Sequence, residues 1–136
     1  MSALNPWQWS GIFLLALTAA LSIAFLFTQH RAIPLSGHEA RAGLKHKTIH
    51  TVIDVRDSRE WNQGHYPDAH HVPLKEIPRQ LPHIVHDRSI AILFYCKSGR
   101  RAEEAAKTAL DLGYTHVYYL VGDYTELTPR HNILNV

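Results

Sequence analysis

The chain has 136 residues, with 14 Lys and Arg against 12 Asp and Glu, and one Cys. One hydrophobic core usually takes about 100 to 150 residues, so a two-domain enzyme is excluded. A lone Cys can form neither an internal disulfide nor a Cys-based zinc site, so any special role for it is nucleophilic or redox; a net charge of +2 without a basic run gives no reason to expect nucleic acid.

No Asp, Glu, Lys or Arg occurs before Arg31. This divides the sequence into an N-terminal apolar segment, residues 1–29, and a soluble domain, residues 30–136. From Trp7 to Thr28 the uncharged run would make a helix of roughly 33 Å, enough to cross a bilayer. Trp7 and Trp9 at one end and His30 and Arg31 at the other suit the two interfaces, so membrane contact is expected through residues 7–28. A cleavable signal peptide would want a basic start, a shorter apolar core and a small-x-small cleavage site, and none is clear here. Arg31, Arg41, Lys45 and Lys47 all follow the span, so the positive-inside rule expects a single-pass anchor with the domain in the cytoplasm.

In the domain, Ala32-Ile33-Pro34-Leu35 reads as a short edge strand. Ser36 and Glu39 have capping-box spacing, opening a helix over 37–44. Thr51-Val52-Ile53-Asp54-Val55 is a short β-branched run and predicts a buried strand. Asp57 and Glu60 mark a helix start, residues 64–68 a turn, and His71-Val72-Pro73 a brief extended piece. Pro78 and Pro82 limit residues 75–86 to one short helical turn and loop. Residues 89–95 form the strongest strand, ending at Cys96. A stripe of Ala105, Ala109 and Leu112 with Gly113 behind it predicts a helix over 101–112, and 116–121 a last strand. Alternating strands and helices, with central strands that are apolar throughout, make the class α/β with a mostly parallel sheet.

Ligands of open α/β sheets bind beyond the carboxyl ends of the strands, which is where Cys96 falls. The loop after it, Cys96-Lys97-Ser98-Gly99-Arg100-Arg101, contains small residues that let the backbone curl so that successive N–H groups form a nest for an anion. The following helix presents its positive end to the same place. Lys97, Arg100 and Arg101 add cationic charge, so the thiolate is the form expected. A buried Cys at a strand end is more often just a small hydrophobe; the basic, Gly-containing loop reverses those odds. This reading requires a thiol that solvent can reach.

Two motifs now resemble the single-domain rhodaneses, which are thiosulfate or persulfide sulfurtransferases. The first runs from Asp54-Val55-Arg56 through Glu60-Trp61, Gly64-His65, Pro67-Asp68-Ala69 and Val72-Pro73-Leu74. The second is Cys96-x-x-Gly99-x-Arg101, followed by Ala105-Ala106, Leu110, Gly113-Tyr114, Val117, Leu120 and Gly122. The resemblance covers about residues 32–127. It implies a five-stranded parallel sheet with helices on both faces and a Cys that carries sulfur as a persulfide, with no cofactor and no metal. The implied partners are a small donor such as thiosulfate or a persulfide, and a thiol or protein acceptor. Three departures stand out: Ala102 where Ser is usual, Asp68 where Gly is common, and Gly122-Asp123 in place of a Gly pair.

Loop length separates this reading from a phosphatase of the related fold, which has C-x5-R to surround a phosphate; Arg101 closes a C-x4-R loop. Arsenate reduction uses a similar nucleophile and stands lower. Asp54 and Arg56 are read as support of the site rather than catalysts, and His65 as a hydrogen-bonding structural residue of the turn. Arg59 and Glu60 are placed on a solvated helical turn, and His70-His71 and His83-x-x-His86 are surface histidines. The apolar tail, residues 131–136, is expected to cover a sheet edge or lie at the membrane. The competing function is a non-catalytic, membrane-tethered interaction or sensor module; a persulfide relay to a membrane-bound acceptor is a variant of the enzymatic one.

Overall fold

The computed structural model describes residues 3–28 and 31–128, and contacts divide the chain into two compact units, residues 1–30 and 31–136. The tail at 131–136 and the interfacial His30 lie outside the described residues. In the first unit, helix α1 spans Pro6–Thr28. Its segment Pro6–Phe25 is long and apolar enough to cross a membrane, and none of it is buried within the protein; a signal sequence meets the same description. Three hydroxyls in this helix are turned back onto it. Ser10 donates to the Trp7 carbonyl at 2.7 Å, Thr18 to Leu15 at 2.9 Å and Ser22 to Thr18 at 2.8 Å, so these polar groups are satisfied without water.

The second unit runs β1 (Ile33–Leu35), α2 (Gly37–Lys45), β2 (Thr51–Asp54), α3 (Ser58–Gln63), β3 (Ala69–His71), a 3-10 turn (Leu74–Glu76), α4 (Ile77–Ile84), β4 (Ile92–Cys96), α5 (Arg100–Asp111), β5 (Val117–Asp123) and a last 3-10 turn (Tyr124–Leu127). The five strands lie in the order β1-β5-β4-β2-β3, and every pair is parallel. The α/β expectation with a five-stranded parallel sheet therefore holds. From β2 the chain winds outward to β3, then returns to β4 and winds the other way to β5. The winding reverses between β2 and β4, and such a switch point opens a crevice at the strands' carboxyl ends.

Two capping boxes start the first domain helices. Ser36 accepts from the Glu39 amide and donates its own amide to the Glu39 carboxylate at 2.8 Å. Asp57 and Glu60 do the same for α3. Helix α5 ends in a Schellman motif: the Gly113 amide donates to the Leu110 carbonyl and the Tyr114 amide to that of Ala109, with Gly113 at φ 95°.

Alternation along β4 sends Ile92, Phe94 and Cys96 to one face and Leu93 and Tyr95 to the other. The first face is covered by α4 and α5, which contribute Ile77, Leu81, Ala102, Ala105, Ala106 and Ala109 to one buried cluster. Four alanines at helical spacing bring α5 close against the sheet. On the second face α2 and the 3-10 turn after β5 bring Ala40 and Leu127 onto Val52, Leu93, Tyr95 and Leu120.

Several boundaries differ from the sequence reading. Residues 74–84 form a 3-10 turn followed by an eight-residue helix, longer than the single turn expected. Pro78 sits in the first turn, where no intrahelical donor is needed, so only Pro82 removes a helical bond. Strand β4 begins at Ile92, because Asp87 draws the Ser89 amide and hydroxyl into a turn at 2.9 and 2.6 Å. Strand β3 is Ala69–His71, two residues earlier than the extended piece predicted.

Candidate active site

Cys96 is the last residue of β4, beside the switch point, and its loop runs into α5. The pairing of β4 with β5 is regular to Phe94 opposite Tyr119, then shifts so that Cys96 lies opposite Asp123. That irregularity leaves space on β5 into which the loop settles. Gly99 occupies it with φ 97°, and a Cβ there would stand 3.0 Å from the Leu120 carbonyl oxygen. Only glycine meets both demands. The Gly99 amide donates to Cys96 Sγ at 3.1 Å, and the first amides of α5 follow with no intrahelical acceptor.

Gly99→Ala should therefore cost about 1–2 kcal/mol from the left-handed backbone alone. It should also displace the amide that faces the sulfur. Thermal unfolding and sulfur-transfer assays of the purified variant check both, and unchanged stability would mean the backbone had relaxed out of this conformation.

The proposed loop residues divide into two groups. Lys97, Ser98 and Arg100 are exposed around the mouth, whereas Gly99 is buried and Arg101 half-buried. Arg101 is not free for an anion. It makes a two-pronged pair with Glu60, at 2.7 and 2.8 Å, which ties the end of the Cys loop to α3. Those hydrogen bonds raise the Arg101 pKa, with smaller contributions from the charges of Cys96 and Asp57.

Cys96 itself is fully buried, which corrects the expectation of a thiol in reach of solvent. The cause is local. The side chain follows Phe94 onto the face covered by α5, and the tight turn through Ser98 and Gly99 folds its own amide over the sulfur.

Next to this loop lies a second buried polar group. Asp54 is 0% exposed and Arg56 6% exposed. Arg56 Nη2 is 2.7 Å from Asp54 Oδ2, its Nε is 3.0 and 3.1 Å from the two carboxylate oxygens, and its amide donates to Oδ1 at 2.9 Å. The Tyr95 hydroxyl donates to the same carboxylate at 2.7 Å and accepts from the Tyr66 amide at 3.0 Å. Burial and the bond to Asp54 push the Tyr95 phenol far above its ordinary pKa, so it stays protonated as a donor. Arg56 also donates to the Gly64 carbonyl at 2.6 Å and lies over the Tyr124 ring. The network joins β2, β4 and the 64–66 turn through Tyr95, the residue before Cys96, whose side chain lies on the other face of the sheet. His65 is outside it: its ring stacks on Trp61, with centroids 3.4 Å apart, and Nδ1 lies 3.0 Å from the Trp61 carbonyl oxygen.

The family model for the rhodanese-like domain matches residues 36–128. The chain belongs to the rhodanese-like domain family. It is 35% identical over 65 residues to thiosulfate sulfurtransferase PspE of Escherichia coli K12, covering 48% of this chain and 62% of that protein. It is 32% identical over 82 residues to a tRNA uridine(34) hydroxylase of Sodalis glossinidius, covering 57% of this chain and 23% of that protein. The chain thus spans less than two thirds of the length of these curated relatives. Among solved structures, a human single-domain sulfurtransferase superposes with TM-score 0.59 at 26% identity, over 70% of this chain and 94% of that one.

In this rhodanese-like domain the departures from the family pattern take physical form. Ala102 is fully buried in the cluster that contains Cys96, where a hydroxyl would need a partner. Gly122 has φ 130°, and the Asp123 side chain caps the following turn by accepting from the Thr125 amide at 2.9 Å. Glu60, assigned from sequence to a solvated surface, instead restrains the loop; its partner lies 41 positions away, beyond any local signal.

The Arg101 hydrogen bonds hold the Glu60 carboxyl well below its ordinary value of 4.5, at about 2. A lowered folded-state pKa means the unfolded chain binds the proton more readily. The pair's stabilisation is therefore complete above about pH 4.5 and is lost as pH falls toward 2. In acid-unfolding titrations, Glu60→Gln should be less stable than the parent near neutrality, and the difference should shrink as pH drops through that window. A constant difference would remove the pair as its cause.

Proposed function

We propose that the chain is a sulfurtransferase that moves sulfane sulfur from thiosulfate or a small persulfide to a thiol or cyanide through a persulfide on Cys96. The observation that carries this reading is the Gly99 amide directed at Sγ at 3.1 Å, at the start of α5 and inside a C-x4-R loop of a rhodanese-like domain. Once the turn through Ser98 and Gly99 lifts from the buried sulfur, the Cys96 thiolate attacks the outer sulfur of the donor; an Sγ–S bond forms as the donor's S–S bond breaks, and sulfite or a thiolate leaves with the electron pair. The acceptor then attacks the terminal sulfur, and the bonding electrons return to Sγ. The cycle is ping-pong, and neither step calls for a metal or an organic cofactor. Lys97 and Arg100 at the mouth draw in an anionic donor. Asp54, Arg56 and the Glu60–Arg101 pair hold the loop, and His65 holds the turn behind it. Helix α1 anchors the domain at the membrane, with the positive residues after it favouring the cytoplasmic side.

The burial of Cys96 favours a second reading, a non-catalytic membrane-tethered interaction or sensor module. Mass spectrometry separates the two. After incubation of the full chain with thiosulfate, the peptide containing Cys96 should gain one sulfur atom, and cyanide should remove it. If Cys96 stays unmodified with both thiosulfate and cysteine persulfide while the protein remains folded, the module reading stands.

A further inference from the structure

On the sheet face away from Cys96, the described residues leave a groove of about 760 Å³ beside α2. Its floor is apolar, with Leu44, Tyr66 and Leu127, and its rim carries His38, Arg41 and Lys45. The three rim residues fall at i, i+3 and i+7 and so share one face of α2. No carboxylate lines the groove among the described residues. Of the nearby acids, Glu39 caps α2 through Ser36, and the Glu126 side chain is packed over Gly37 and Gly122 rather than lining the groove. Asp68 lies close enough to Tyr66 to add to the rise that burial gives its phenol. Arg41 is held in place by donating to the Glu126 carbonyl, and among the described residues its other guanidinium N–H groups have no acceptor.

We propose that this groove docks an acidic segment of a partner protein, with an apolar side chain seated on Leu44, Tyr66 and Leu127 and carboxylates meeting Arg41, Lys45 and His38. Charge complementarity and the shape of the site select this occupant. The cations are strung over about two turns of helix, roughly 10 Å, rather than converging on a point as a phosphate needs. A concave apolar floor running alongside them suits a peptide's alternating anchors and charges. The docking stands apart from chemistry at Cys96, which lies on the other face of the sheet.

Selection of a random twelve-residue peptide library on the full chain in a zwitterionic detergent tests this. The selected peptides should be rich in Asp and Glu around a Leu or aromatic residue and should bind more weakly as salt rises. His38→Glu and Lys45→Glu alter exposed side chains, so the protein should stay folded with only a small drop in thermal midpoint, for Lys45 through the lost cation in the last turn of α2, yet each should weaken binding at least about tenfold. The proposal is overturned if no acidic peptides are enriched or if they bind the two variants as well as the parent. It is equally overturned if inorganic phosphate or a soluble short-chain phosphatidylglycerol, rather than peptide, is what binds in a His38- and Lys45-dependent way.

Discussion

Replacing Cys96 with Ala should abolish thiocyanate formation from thiosulfate and cyanide, a loss of at least about 10⁴-fold. Stability should fall by about 1–3 kcal/mol, because one small buried side chain is lost and one buried amide loses its acceptor. The Gly99 amide, which now donates to Sγ at 3.1 Å, is buried with it and loses that acceptor in the variant. The two readouts must separate. Residual turnover within tenfold of the parent would move the nucleophile away from Cys96 and sink the proposed cycle, whereas a parallel loss of folding would show only that the thiol is part of the core.

Asp54→Asn should be the most damaging single change to the fold, costing about 3–5 kcal/mol. The isosteric amide keeps the shape but withdraws the charge that balances Arg56, whose side chain is 7% exposed. The Tyr95 hydroxyl and the Arg56 amide, Nε and Nη2 converge on the same carboxylate, so four donors lose their best acceptor together. Urea unfolding monitored by circular dichroism gives the figure. Adding Arg56→Met should recover part of the loss, because removing both charges avoids the uncompensated one. A single-variant effect below about 1 kcal/mol would mean that water or another acceptor had replaced Asp54.

The parallel sheet was legible because its central strands are apolar at every position and its helices carry their own start and stop signals. Ser36 with Glu39, Asp57 with Glu60 and Gly113 all cap the helices they were assigned to. The Pro-rich stretch was under-read since the rule against internal proline weighs little when one of two prolines falls in a first turn. At the site, the Cys, its glycine and its cations were visible in a run of six residues. The restraints on them were not. Glu60 reaches Arg101, and Tyr95 reaches Asp54, across 41 positions each, and sequence spacing carries no trace of either contact. Nor does a basic, glycine-bearing loop tell whether its own amides will close over the thiol.

That closure makes the sulfur's reactivity a matter of timing. An atom that solvent cannot touch meets peroxide, alkylating agents or stray thiols only in the fraction of molecules whose turn has lifted, so its chemistry runs at the opening frequency multiplied by the intrinsic rate. A sulfur atom loaded onto it would be sheltered in the same way, released to an acceptor able to hold the turn aside and withheld from the bulk pool of reductants.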